Sequence, residues 1–277
     1  MRLPAMILAT ALIWGGTAPA ATPPDLAHPN AGATPAHADL TAGPSPMPTT
    51  PDTAVEQSLD FFAHYGHDTP LGHHKVTVAR AANGDTVVDV DISFEAKVLM
   101  LTAYRYHHVD HEIWRGGRLL ALETSTNDNG DTDWVRGHAT PDGFAVESSR
   151  GKVTAPADIV PTSYWNPATL TAPRLLDTVR GVVMDTRVDR KEPEVIKAGD
   201  VKLSATRYTL TFTTNPPPAT SHLDFWYDES GHWLKMAFRA RGHDVAYALE
   251  GTPPGGTLVA GPGSDTVLPA PEGDRKD

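Results

Sequence analysis

Between residues 86 and 250 apolar and polar side chains alternate one for one in short runs, and almost every run ends at a Gly, Asn or Asp turn. Val88, Val90, Ile92 and Phe94 alternate with Asp89, Asp91, Ser93 and Glu95, and Tyr208, Leu210 and Phe212 with Thr209, Thr211 and Thr213. Leu234, Met236 and Phe238 repeat the pattern against Lys235 and Arg239, and Val245, Tyr247 and Leu249 close the series. A period of two places all the apolar residues of a run on one face of a strand, whereas a helix needs a period of 3.6. Turn signals at Asn83-Gly84, Gly116-Gly117, Asn129-Gly130, Asp142-Gly143 and Ser230-Gly231 join these strands as hairpins. The expected fold is therefore all-β in the main, a curled antiparallel meander that forms an open or incomplete barrel to cover its apolar face.

Two stretches depart from this pattern. Asn166-Pro167 precedes Leu170, Leu175, Leu176 and Val179 at mixed helical spacings, with Pro167 suited to a first helical turn and Asn166 to its cap. One or two short helical turns are expected there, at the mouth or across the concave side of the sheet. Lys191-Glu192-Pro193-Glu194 reads as the tip of a long hairpin between Val188 and Val201.

The flanks have a different character. Arg2, an apolar run from Met6 to Trp14 and the small residues ending at Ala20 form a secretory signal peptide over residues 1–20. Residues 21–54 and 252–277 are Pro-, Ala-, Thr- and Gly-rich and too poor in large apolar residues to fold, so they are read as a disordered linker and tail around a β domain at 55–251. No apolar run reaches the roughly 20 residues of a spanning helix, so no integral membrane segment is expected in the mature chain. With no cysteine, neither disulfides nor N-terminal lipidation can contribute, and the expected location is periplasmic or secreted. The net charge of -11 argues against nucleic acid as a partner.

Aromatic, histidine and arginine residues are densest from Tyr104 to Leu122, YRYHHVDHEIWRGGRLLAL, read as two strands joined at Arg115-Gly116-Gly117. His107, His108 and His111, beside Asp110 and Glu112, suggest a metal site. On a strand His107 and His111 stand roughly 13 Å apart, too far for one ion whose ligands sit about 2 Å away. His108, Asp110 and Glu112 share the opposite face and are read as polar ladder residues on a solvated side of the sheet. No metal or other cofactor is expected. Tyr104, Arg105, Tyr106, His108, Trp114, Arg115, Tyr164, Trp165 and Trp226 are the candidate ligand-binding residues, aromatic bodies lining a cavity with an arginine turned to a carboxylate or phosphate.

The ordered series PLGHHKVTV, VLMLTAYRYHHVDHEIWRGGRL, TNDNG, PTSYWNP, RLLDTVRG and DFWYDESGHWLKM resembles the bacterial domain-of-unknown-function family 6134 and, more distantly, family 3108. The resemblance implies an exported protein with a curled antiparallel sheet and carries no catalytic residue. No Gly-x-Ser-x-Gly motif and no thiol is present. The function expected first is non-enzymatic binding or carriage of a lipid-like apolar molecule. The alternatives are a hydrolase or isomerase using Tyr106, His108 and Glu112 as acid and base, and a structural envelope protein that engages a protein partner through an edge strand.

Overall fold

The structure is a computed structural model that describes residues 53–66, 69–98, 101–198, 201–214, 222–240 and 243–250. The segments expected to be a signal peptide and a tail, and nearly all of the expected linker, lie outside the described residues. Fifteen strands follow in chain order: β1 (Thr53–Tyr65), β2 (Thr69–Ala81), β3 (Thr86–Val98), β4 (Leu101–Arg115), β5 (Arg118–Asp128), β6 (Asp131–Thr140), β7 (Gly143–Ser148), β8 (Gly151–Ala155), β9 (Val160–Pro161), β10 (Arg174–Leu176), β11 (Val183–Ala198), β12 (Val201–Phe212), β13 (His222–Tyr227), β14 (Trp233–Ala240) and β15 (His243–Leu249). They form one sheet in the order β8-β7-β6-β5-β4-β3-β2-β1-β15-β14-β13-β12-β11-β10-β9. Except for β8 and β9, which stand at opposite edges, each strand lies beside its sequence neighbour, and the two halves of the chain are joined by an antiparallel pairing of β1 with β15, with Phe61 opposite Leu249. Only the short β9–β10 pair is parallel among the ladders described. The expected curled meander is the observed fold.

Curling follows from which side of each strand is apolar. Leu59, Phe61 and Ala63 of β1, Val88, Val90 and Phe94 of β3, Leu223 and Phe225 of β13 and Met236 and Phe238 of β14 are all buried on one face. A sheet this long covers such a face by bending it inward, which the right-handed twist of strands favours. Trp233 anchors the interior with its ring 4.1 Å from Phe61 and 6.2 Å from Phe225. Burial of each such ring contributes about 1.5–3 kcal/mol.

The open edges, β8 and β9, are separated in sequence only by residues 156–159. From there the chain runs inward. Pro167–Leu170 forms the one 3-10 turn among the described residues, and the Asn166 side chain caps it by accepting from the Ala168 N–H at 2.9 Å, as the sequence predicts. The Thr178 carbonyl accepts from Thr124 Oγ1 of β5 at 2.6 Å, so this segment is fastened across the barrel.

The expected hairpin tip at Lys191–Glu194 is a correction. Strand β11 runs straight through it to Ala198, with a bulge between Arg190 and Pro193. Strand β10 accompanies β11 only as far as Asp185, so Pro193 interrupts no ladder on that side, and the bulge absorbs it on the other.

Gly72 marks a close approach of two strands. Its φ is +142°, and a Cβ there would lie 2.1 Å from the Ser93 carbonyl oxygen of β3. Gly72→Ala is expected to lower stability by about 2–4 kcal/mol, read as a lower urea midpoint with an unchanged slope. An unchanged midpoint would show that the strands separate there at no cost.

Candidate functional site

Strand β4 carries the site. Tyr104, Tyr106, His108, Asp110, Glu112 and Trp114 all point inward and are buried, while Arg105, His107, His111 and Arg115 point outward. The expectation that His108, Asp110 and Glu112 stand on a solvated face is overturned: they are 3%, 3% and 0% exposed. Parity along β4 settled that they share a side. Which side is inside was set by partner strands, where Ile92 and Val90 of β3 stand opposite His108 and Asp110.

Glu112 is held from two sides. Its Oε2 accepts from Trp114 Nε1 at 2.7 Å and from Trp165 Nε1 at 2.9 Å. Trp165 reaches it because Tyr164 adopts φ +62°, rare for a bulky residue, and is held there by the Tyr227 hydroxyl donating to its carbonyl at 2.7 Å. Burial raises the Glu112 pKa, and these donors offset only part of the rise.

Asp110 lies beside it with a different environment. Burial, and after it the neighbouring Glu112, push its pKa well above the usual carboxylate range. Neither Asp110 oxygen nor Glu112 Oε1 has a donor elsewhere in the protein. A proton held by Asp110 and donated to Glu112 satisfies Glu112 Oε1 and one Asp110 oxygen, leaves the other Asp110 oxygen open, and leaves one negative charge for the pair.

Histidines complete the polar wall. His74 of β2 is 2% exposed, packs edge-on against Phe61, Trp233 and Tyr247, and has no partner for either ring nitrogen. Burial lowers its pKa to about 3, with His108 adding to the effect. His108 Nδ1 lies 2.8 Å from Thr126 Oγ1, and burial lowers its pKa to about 4. Both rings are neutral at ordinary pH.

These groups border a cavity of about 90 Å³. His74, His108, Asp110 and Asp177 form its polar side, and Phe94, Tyr106, Met184, Met236, Phe238 and Tyr247 its apolar side. Asp177 accepts from the Val179 and Arg180 amides through Oδ1, while its buried Oδ2 has no partner and its pKa is raised by burial. Arg180 reaches the same space.

The family model of a domain of unknown function, DUF6134, matches residues 62–250. The chain belongs to this family. Among solved structures it is similar to a β-barrel-like protein of domain of unknown function DUF1849 from Brucella abortus, with a TM-score of 0.51 and 8% identity over 72% of this chain and 97% of that one. At that identity the likeness is one of fold, and neither finding bears on family 3108. No curated protein matches the chain.

In this DUF6134 domain the candidate residues divide. Tyr106, His108 and Tyr164 line the cavity, and Trp114 and Trp165 support it through Glu112. Tyr104 is buried to one side, donating to Asp128 at 2.8 Å. Three expectations are corrected. Arg105 lies on the outer face bonded to Glu95 at 3.0 Å, and Arg115 grips Asp85 at 2.6 and 2.8 Å, so neither arginine faces the cavity. Trp226 sits on the opposite face of β13 from Phe225, bonded to Glu194 and covered by Lys235. On that outer surface His107 and His111 stand by Asp91 and Asp89 at 3.6 and 2.7 Å. Among the described residues, Asp60, His73 and Glu250 form one group with metal-like spacing, but Lys75 already supplies a cation 3.4 Å from Asp60. His74, Asp177 and Arg180 were missed by the sequence reading.

Neutral burial of His74 has a defined pH consequence. Its folded pKa is below the unfolded value of 6.5, so the unfolded chain binds the extra proton and stability falls as pH drops from 6.5 toward about 3. His74→Phe removes this titration while keeping a ring against Trp233. Its acid limb in chemical denaturation from pH 7 to 4 is expected to be shallower by on the order of 3 kcal/mol. Superimposable limbs would mean that His74 is solvated in the folded state.

Proposed function

We propose that this DUF6134 protein is an exported binding protein that holds a small amphiphilic molecule inside its barrel. The observation that carries the reading is the buried His74, with neither ring nitrogen partnered, beside Asp110, which keeps one oxygen open after its bond to Glu112, with an apolar wall across the same cavity. Buried polar groups are nearly always satisfied, and each one left bare costs about 1–3 kcal/mol. A wall of this composition suits a ligand with one polar end and one apolar end.

Size refines the expectation of a lipid-like ligand. A cavity of about 150 Å³ admits benzene, and this one is about 90 Å³. It suits a short chain or a polar headgroup with a few carbons, each buried methylene contributing about 0.8 kcal/mol. The signal-peptide reading of residues 1–20 supports a periplasmic or secreted location for this binding.

A second reading, acid–base catalysis on the same molecule, is favoured by the protonated Asp110 carboxyl beside the neutral His108. It differs in outcome, because catalysis converts the bound molecule and binding returns it unchanged.

Native mass spectrometry of full-chain protein purified from a bacterial envelope, followed by extraction and incubation with fresh protein, tests both. A stoichiometric small molecule released unchanged is the expected result. Met236→Phe, which fills the apolar wall, should lower its occupancy by about tenfold with an unchanged circular dichroism spectrum. Protein that is bare in every preparation and in ligand screens would overturn the proposal, and conversion that stops in Asp110→Asn would replace it with the second reading.

A further inference from the structure

The polar end of the ligand can be assigned a chemical class, on the footing of the binding reading above. Asp110 Oδ1 and Oδ2, Glu112 Oε1 and Asp177 Oδ2 are buried acceptors with no donor elsewhere in the protein. A proton shared between Asp110 and Glu112 occupies two of these oxygens. One Asp110 oxygen and Asp177 Oδ2 remain, beside a neutral His74 that offers one further acceptor and a single donor. The lining also holds the Arg180 guanidinium and hydroxyls such as those of Ser163, Tyr106 and Tyr247, but none of them reaches these oxygens, so the ligand must bring their donor.

Charge sharpens this. Glu112 lies directly behind Asp110 on β4, Asp89 adds to the negative potential from the outer face of β3, and Asp177 faces the cavity from the crossing segment. His74 on β2 and His108 on β4 are neutral. Arg180 is the cation at this cavity, and its charge is already engaged by Asp177, Asp133 and Asp128. An anionic ligand would meet uncompensated carboxyl groups. A cation would meet both these carboxyl groups and the aromatic rings of Phe94, Tyr106 and Tyr247.

We infer that the cavity binds a small protonated amine, with its ammonium group on Asp110 and its short apolar body against Phe94, Phe238 and Met236. On entry the ammonium displaces the proton held between Asp110 and Glu112. The proton passes to solvent, and Asp110 accepts from the ammonium as a carboxylate.

Isothermal titration calorimetry of the full chain at pH 7 with butylammonium, 1-butanol and butyrate tests the assignment, since the three differ in head group at nearly constant size. Butylammonium is expected to bind about tenfold or more tightly than 1-butanol, with butyrate undetected. Titrations in buffers of different ionisation enthalpy should show a proton released with the amine. In Asp110→Asn the amine should lose its advantage while the alcohol keeps its affinity. Equal or tighter binding of 1-butanol or butyrate, a preference that survives in Asp110→Asn, or amine binding without proton release would each overturn the amine assignment and leave the binding reading standing. The proton measurement uses only the unaltered protein, so it decides the matter even if Asp110→Asn fails to fold. Failure of all three compounds to bind at millimolar concentration would overturn both.

Discussion

Everything inside this protein depends on the pairing of its first and last described strands. Strands β1 to β8 and β9 to β15 are two runs of locally connected strands, each apolar on one face and each unable to cover that face alone. Phe61, on β1 opposite Leu249 of β15, brings its ring onto Trp233 of β14 and beside His74 of β2. The pairing thus unites the two apolar faces into one interior, in which aromatic rings exclude water and leave the polar groups of β2 and β4 to find their own partners.

How those polar groups manage without water explains the chemistry of the site. A fully buried charge is tolerated only where several donors converge on it. Glu112 has that arrangement, with the indoles of Trp114 and Trp165 on one oxygen. Asp110 has none, so it holds its proton, and His74 and His108 go without theirs. Four titratable side chains thus enter the interior with a single formal charge between them. The strained conformation of Tyr164 is part of the same arrangement, since it turns the chain so that Trp165 meets Glu112.

Much of this was legible in the sequence because a strand's two faces alternate strictly. Alternation identified the strands and the shared face of Tyr104 through Trp114, glycine-containing pairs marked the hairpin turns, and the Asn166-Pro167 pair marked the capped turn. It could not say which face was inside when that face carried His108, Asp110 and Glu112, because composition alone made it look wet. The neighbouring strand held the answer: Val88, Val90 and Ile92 are apolar and stand opposite the polar three. His74 could have been found in the same way, since it shares parity with the buried Val76 and Val78. Asp177 and Arg180 gave no such signal, because their segment has no period and is placed by hydrogen bonds from β5 and by its own turn. The arginines misled for a simpler reason: Arg105 and Arg115 have carboxylate partners, Glu95 and Asp85, that lie near them only in the fold.

The seam between β8 and β9 makes the sheet a meander whose chain has been cut in the middle. Read from one open edge to the other, the strands run β9 to β15 and then β1 to β8, the sequence order of a circular permutant that begins after residue 158 and joins residue 250 to residue 53. In that permutant every strand pairing would be local, whereas in the natural chain the β1–β15 contact closes a loop of nearly the whole domain. The natural connectivity therefore postpones formation of the interior, with its His74–Trp233 contact, until the last strand has been made, and keeps both halves as open sheets until then.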